Sequence, residues 1–193
     1  GIAISNKAHA NITLSNFSFN NAMRGGALLV YKGHLFVDSC ILEKGNINEA
    51  VDIQPTQGGL ITALKNSKII IQNSVLKNAT VFADGGALFA EGSGTQVEIL
   101  SSVIDSCSAL NGGGISILNE AEVNITLSKF SSNAASQNDG TVPLPAQGGT
   151  TPGSRMLGNG GAISVSGGRL SVHASNLSGG IDRPAASQGG LIY

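Results

Sequence analysis

Apolar and polar residues alternate in short segments along this chain, and the most regular segments begin with a pair of glycines. Residues 160–165 read Gly-Gly-Ala-Ile-Ser-Val, and the steps between successive copies of this unit are 24, 33, 27, 27, 48 and 29 residues. Alternation with period two is typical of strands, and a repeat of this length indicates a stacked solenoid. The copies begin at Gly1, Gly25, Gly58, Gly85, Gly112, Gly160 and Gly189; the first is degenerate and the last is truncated.

A second alternating strand follows each glycine strand. In the middle repeats its apolar pairs are Leu35 with Val37, Ile69 with Ile71, and Val97 with Ile99. In the outer repeats the alternation is shifted by one residue, and a one-residue β-bulge is expected to reconcile the two registers. For those repeats we predict solvent-facing Thr13, Thr126 and His173 and inward-facing Ile12, Leu14, Ile125, Leu127, Val172 and Ala174.

Equivalent residues of successive repeats fall into apolar columns. One predicted column holds Ile4, Leu28, Ile61, Leu88, Ile115, Ile163 and Ile192, and a second holds Val30, Ala63, Ala90, Ile117 and Val165. No capped helical periodicity is present. We therefore predict an all-β protein, a right-handed parallel β-helix of about six to seven coils that forms one array over residues 1–193. An antiparallel β-sandwich is the alternative, but it would not require like residues at equal phase.

The 48-residue step contains an insertion at 136–159. It is rich in glycine and carries Pro143, Pro145 and Pro152, which disfavour strand and helix. We predict a protruding loop, either a neutral insertion or a contact site for a partner. Because the chain begins and ends within a repeat, we also expect it to be a segment of a longer protein.

Composition narrows the possible functions. Charged residues make up 12% of the chain and the net charge is -1, so no electrostatic case exists for nucleic acid or an anionic membrane. No run of 18 apolar residues is present, and membrane insertion is not expected. Cys40 and Cys107 lie at different phases of the repeat, so we expect free thiols rather than a disulfide.

Polar candidates for catalysis are scattered through the repeats. Asp38, Asp84 and Asp105 lie at different phases, and Glu98 is the single carboxylate in the predicted outward rows. The three histidines show no metal-ligand spacing. We therefore predict no catalytic residues, no metal and no cofactor. Clustering of Asp38, Glu98 or Asp105 with a basic residue in a groove would favour an enzyme.

Two short motifs resemble those of a known family. Residues 25–28, 85–88 and 160–163 read Gly-Gly-Ala followed by Leu or Ile, and 17–20 and 130–133 read Phe-x-x-Asn. They resemble the motifs of the chlamydial polymorphic membrane protein repeat, and the resemblance covers essentially the whole chain. It implies a pectin-lyase-like β-helix in a secreted or surface-exposed protein, and in that family the β-helix is an exported passenger used in adhesion.

Asparagine has two predicted roles. Asn20, Asn78 and Asn133 are expected to stack as a structural ladder at one turn, because Asn tolerates left-handed φ and its amides can bond along the axis. Asn-x-Ser/Thr sequons give glycosylation candidates in a eukaryotic secretory route. Asn16 and Asn176 are the better candidates because they precede the apolar turn residue. The sequons are Asn11, Asn16, Asn124 and Asn176, with Asn78 disfavoured by its place in the ladder.

Outward apolar residues suggest a contact surface. Leu29 and Phe89 belong to the glycine strands, whereas Phe36 and Ile70 are expected to be neighbours on adjacent coils of the second strand. We therefore predict a non-enzymatic, extracellular or cell-surface scaffold or adhesion segment. Its expected partners are other protein domains, copies of itself or cell-surface glycans. The alternatives are a polysaccharide lyase or hydrolase and an assembly module of a filament or surface layer.

Overall fold

The structure is a computed structural model, and it describes residues 1–45, 57–135, 158–178, 186–188 and 192. The predicted insertion at 136–159 lies outside the described residues except for its last two. The strands of the first three coils are β1 (Ile2–Ser5), β2 (His9–Thr13), β3 (Asn16–Ser18), β4 (Leu28–Tyr31), β5 (His34–Asp38), β6 (Ile41–Glu43), β7 (Ile61–Leu64), β8 (Lys68–Gln72) and β9 (Val75–Lys77).

Three further coils continue the same order. Their strands are β10 (Leu88–Glu91), β11 (Gln96–Leu100), β12 (Val103–Asp105), β13 (Ser108–Ala109), β14 (Ile115–Leu118), β15 (Glu122–Thr126), β16 (Lys129–Ser131), β17 (Ala134–Ala135), β18 (Gly158–Asn159), β19 (Ile163–Ser166), β20 (Arg169–His173), β21 (Asn176–Leu177) and β22 (Ala186–Gln188). No helix occurs in these described ranges, and so none that could cross a membrane.

Each coil contributes one strand to each of three parallel six-stranded sheets. The first sheet has the order β1-β4-β7-β10-β14-β19, the second β2-β5-β8-β11-β15-β20, and the third β3-β6-β9-β12-β16-β21. Short parallel pairs β13-β17 and β18-β22 add to them, and a bridge from Ile163 to Ile192 starts a seventh turn of the chain. This is a parallel β-helix of six coils, which confirms the predicted fold class.

The apolar columns fill the interior. Ile61, Leu88 and Ile115 are directly paired on adjacent coils and have no exposed surface. Burying each such side chain contributes roughly 1.5–3 kcal/mol before conformational entropy is counted. The predicted alignment of these two columns was wrong only in the first coil, where Ile2 pairs with Leu28 and Ile4 pairs with Val30. The first coil is thus offset by two residues from the predicted alignment.

The glycine pair has two separate tasks at the corner before each first-sheet strand. The first glycine takes a left-handed backbone, as Gly85 does with φ +68. The second lies against the same glycine of the next coil. A Cβ on Gly86 would collide with the Gly113 carbonyl oxygen, and one on Gly59 would collide with that of Gly86. Only glycine allows this approach, because it lacks a Cβ.

The second sheet has no bulge, and this corrects the predicted shift in register. Ile12 pairs with Val37 and Ile99 with Ile125, in one unbroken register. Leu14 and Leu127 do not enter the core, because they occupy left-handed turn positions with φ of 48 and 49 and are 86% and 63% exposed. Ala174 holds the same position with φ 47.

The remaining outer-coil assignments of the second sheet are partly confirmed. Ile12 and Ile125 are buried as predicted, and the predicted inward residue Val172 is 37% exposed on the sixth coil. Thr13 and His173 are exposed and Thr126 is half-buried. These three lie in one outward row, at the strand position that Asp38 holds on the second coil.

Candidate functional site

A column of hydrogen-bonding side chains runs the length of the corner between the second and third sheets. We call it the serine ladder: Ser15, Cys40, Ser74, Ser102, Ser128 and Ser175. The backbone N–H of Ser74 donates to Ser102 Oγ at 3.1 Å, and that of Ser102 donates to Ser128 Oγ at 3.1 Å. Each coil is thereby tied to the next through a side chain at the point where the backbone turns.

Every rung of the serine ladder also closes its own turn. Ser102 Oγ donates to the Leu100 carbonyl at 2.7 Å, two residues earlier, and Ser128 Oγ donates to the Thr126 carbonyl at 2.8 Å. The four middle rungs are at most 3% exposed. A buried N–H without an acceptor costs about 1–3 kcal/mol, so each hydroxyl satisfies a turn that the sheets leave unpaired.

Cys40 is the variant rung of the serine ladder. Its thiol accepts the N–H of Ser15 at 3.4 Å and donates to the Asp38 carbonyl at 3.2 Å. Cys107 lies at the next corner of the fourth coil. Both thiols are free and buried, as predicted, and burial raises the pKa of the Cys107 thiol to about 12. These cysteines therefore belong to the packed interior.

The predicted asparagine ladder is wrong in its alignment. Asn78 occupies the left-handed position just after the third-sheet strand, as Phe19 does in the first coil. Asn20 and Asn133 lie one residue later and at distant coils. Asn133 is buried, accepts the N–H of Cys107 at 3.1 Å and donates to the Ile104 carbonyl at 2.9 Å. Its role is structural, but in a rung shared with Cys107 rather than with Asn78.

All five sequon asparagines are exposed: Asn11, Asn16, Asn78, Asn124 and Asn176. Asn11 and Asn124 lie in the middle outward row of the second sheet, and Asn16 and Asn176 lie in one outward row of the third. The central residue of these four sequons points inward, because strand alternation places Asn and Ser/Thr on the outer face. Asn78 is therefore as accessible as the others.

The outer faces of the second and third sheets carry apolar residues between the sequons. Phe36 and Ile70 are paired on adjacent coils, as predicted, and both are half-buried. Ile41, Val75 and Val103 form a matching row on the third sheet. The second-sheet pair lies on coils two and three and the third-sheet row on coils two to four, and each has a sequon asparagine on the first coil and another on the fifth or sixth. The result is an apolar band around the middle of the β-helix.

The outer face of the first sheet is different, and it changes the predicted contact surface. Phe89 has no exposed surface, and its row neighbours Thr62 and Ser116 have none either. The Thr62 hydroxyl in this row donates to the Gln57 carbonyl at 2.9 Å. Leu29 is half-buried. Phe89 is thus not available to a partner, and the contact candidates that remain are Phe36, Ile70 and Leu29.

A polar hollow of about 470 Å³ lies at the corner between the first and second sheets, across the fourth, fifth and sixth coils. Glu120, Glu122 and Arg169 line it together with Thr95 and several glycines. Arg169 Nη1 donates to Glu122 Oε1 at 2.9 Å, so this pair is already neutralised. Glu120 is exposed at a left-handed position with φ 68. The hollow therefore presents an uncompensated carboxylate to solvent.

The predicted catalytic candidates do not converge. Asp38 lies on the outer second sheet in the second coil, Glu98 on the same face in the fourth, and Asp105 on the third sheet. A hydrogen bond from Asn73 lowers the pKa of Asp38, whereas burial raises that of Asp84. Among the described side chains, no three His, Cys, Asp or Glu residues come together as a metal site.

Sequence reasoning missed both the serine ladder and the acidic hollow. The ladder had a signal, since Ser or Cys recurs three residues after the last inward Ile or Val of each second-sheet strand. The hollow had none, because its residues come from three coils separated by up to 76 positions. Comparison with protein-family models, curated proteins and solved structures finds no match for this chain.

Proposed function

We propose that this chain is a non-enzymatic β-helix scaffold or adhesion segment of the extracellular space or cell surface. The observation that carries the proposal is the unbroken register of three six-stranded sheets, tied at one corner by the serine ladder. Such a body holds outward side chains at a fixed spacing of roughly 4.8 Å per coil. The exposed sequons and the resemblance to an exported passenger repeat support the location.

The apolar band is the contact surface of this scaffold. Phe36 and Ile70 are side by side on the second sheet and border the acidic Glu98 of the next coil. An apolar patch rimmed by polar groups is typical of protein contact sites. The partner is another protein domain or a cell-surface glycan, and glycans at Asn11, Asn16, Asn124 and Asn176 would border the band without covering its centre.

An adhesion assay tests the contact surface. Beads coated with the chain should retain cells, and the double variant Phe36→Asp with Ile70→Asp should lose most of this retention. The variant Gln96→Asp with Ser171→Asp is the matched control, because both residues are exposed on the same sheet and the added charge is equal. Equal retention by all three proteins would reject the band as the adhesive surface.

A polysaccharide-active enzyme is the second candidate, and the hollow with Glu120, Glu122 and Arg169 is the observation that favours it. Two carboxylates beside a guanidinium are groups that uronic-acid chemistry uses. Incubation with a panel of uronic-acid polymers separates the two candidates. The scaffold proposal expects unchanged chain lengths, and cleavage that is lost in Glu120→Gln would establish the enzyme instead.

A further inference from the structure

Charge is segregated along the axis of the β-helix. Residues 84–128 contain six acidic residues and no basic one. The corner between the first and second sheets shows this most clearly, and we call it the charged ridge. Its basic half, on coils one to three, has Lys7, Lys32 and Lys65; its acidic half, on coils four and five, has Glu91 and Glu120.

The basic half of the charged ridge points into solvent. Lys7, Lys32 and Lys65 are exposed and all have left-handed backbones, with φ of 67, 52 and 42. The ion pairs formed by the described residues are Lys77 with Glu43 and Arg169 with Glu122, so these lysines take part in neither. Three unneutralised ammonium groups thus follow one another at about one coil spacing.

The acidic half contains the hollow. Glu120 lines it beside the Glu122–Arg169 pair, and Glu91 at the end of β10 accepts a hydrogen bond from Asn119 Nδ2 at 2.9 Å. Glycines form much of its wall, so the surface recedes there, whereas lysines project from the basic half. One half of the ridge is therefore complementary to the other in charge and in surface shape.

We propose that two copies of this chain associate antiparallel along the charged ridge. A two-fold axis between the third and fourth coils places coil three opposite coil four, and coil two opposite coil five. Lys65 then faces Glu91 of the second copy and Lys32 faces Glu120, and both contacts occur twice by symmetry. The pairing builds on the scaffold role proposed above, and it extends that role to self-assembly.

We assign a second copy of this chain as the partner at the charged ridge, because the chain itself carries both halves of the complementary surface. A rotation about one axis matches Lys32 and Lys65 each to a glutamate and leaves Lys7 opposite the sixth coil, whereas a parallel arrangement would place like charges together. The five sequons lie on the second sheet's middle row, on the third sheet or just after it, so glycans would leave the ridge open.

Sedimentation velocity of the 193-residue chain tests the proposal. We expect a dimer at low salt whose dissociation constant rises about tenfold or more as ionic strength goes from about 0.02 to 0.5 M, because exposed charges are then screened. The variant Lys32→Glu with Lys65→Glu should be monomeric, and so should Glu91→Lys with Glu120→Lys. A mixture of these two variants should form a heterodimer, since every facing pair is again of opposite sign.

The control variant Lys44→Glu with Lys129→Glu carries the same charge change on other surfaces and should dimerise as the unaltered chain does. Circular dichroism confirms that each variant is folded. A chain that stays monomeric up to about 0.5 mM at low salt, a dimer insensitive to salt, or a mixture that fails to pair would each overturn the proposal. These outcomes leave the scaffold role standing, because that role is tested by adhesion and cleavage.

Discussion

The backbone N–H of Ser74 donates to the hydroxyl of Ser102 on the next coil at 3.1 Å, and that hydroxyl donates to the Leu100 carbonyl at 2.7 Å. One side chain therefore satisfies the turn of its own coil and the backbone of its neighbour. The same arrangement recurs from the first coil to the sixth. The corner thus contributes directed bonds, which the non-directional contacts of the apolar columns do not provide.

Removal of one rung should destabilise the fold by more than the loss of a surface hydroxyl. Ser102→Ala leaves the buried N–H of Ser74 without an acceptor, and we expect the free energy of unfolding to fall by about 1–3 kcal/mol. Ser171→Ala, on an exposed outward position, should change it by less than about 0.5 kcal/mol. Urea denaturation of both variants measures this, and equal effects would show that the serine ladder does not contribute.

The exposed leucine at the turn of the fifth coil should be replaceable with a gain in stability. Leu127 has φ 49, and Asn adopts this left-handed backbone at lower cost than Leu. We expect Leu127→Asn to raise the free energy of unfolding by about 0.5–1 kcal/mol. If Leu127 were in the core, the same change would cost several kcal/mol, so thermal unfolding distinguishes the two placements by sign.

The second glycine of each pair should tolerate no side chain. In Gly86→Ala the added Cβ would meet the backbone of Gly113 and of Ser108, and we expect a loss of about 3 kcal/mol or more. Gly167→Ala is the control, because Gly167, unlike Gly86, has a left-handed backbone with φ +67, but its Cβ would have its nearest neighbour at 3.8 Å. It should cost only about 1 kcal/mol, measured by chemical denaturation.

Asp84 should make the fold less stable as pH rises. Burial raises its pKa above the ordinary 3.8, so the folded state holds its proton more tightly than the unfolded state does. The penalty is absent below the unfolded pKa and grows as pH rises through the folded one. The Asn111 amide donates to Asp84 Oδ1 at 2.8 Å, and Asp84→Asn keeps an acceptor for it. Relative to the unaltered chain, this variant should therefore gain stability as pH rises through the folded pKa of Asp84.

Urea unfolding at a series of pH values measures the Asp84 effect, with Asp38→Asn as the control of opposite sign. The hydrogen bond from Asn73 lowers the pKa of Asp38, so its contribution is present above the unfolded pKa and is lost as pH falls through the folded one. Asp38→Asn should therefore lose relative stability with rising pH. Parallel pH profiles for the unaltered chain and Asp84→Asn would contradict the account.

Period-two alternation was enough to predict the architecture and most interior columns, because burial selects the same face in every coil. It was not enough at the corner after the second sheet. Leu14 and Leu127 continue the apolar alternation by one step, yet the chain has already turned there. Their side chains follow the turn into solvent, so the apparent shift of register was a feature of the turn and not of the sheet.

The candidate surfaces could be predicted from the sequence only where all their residues lie in one row of one sheet. Phe36 and Ile70 are neighbours because they share a row, and the sequence indicates that row directly. Phe89 shares a row equally well, but it has no exposed surface, and the alternation of its strand does not indicate this. The hollow at Glu120 combines three coils and has no local pattern. The exposure of a strand residue such as Phe89, and the composition of a hollow formed by several turns, therefore depend on the whole fold and not on the pattern of one strand.

Distances between spin labels along one outward row measure the in-register stacking of the coils. With Cys40 and Cys107 replaced, one label at Asn11 and a second at Glu98, Asn124 or Ser171 would span three, four and five coils. In-register stacking predicts narrow distributions whose centres increase by about 4.8 Å from each pair to the next. Broad distributions, or centres without that constant increment, would contradict it.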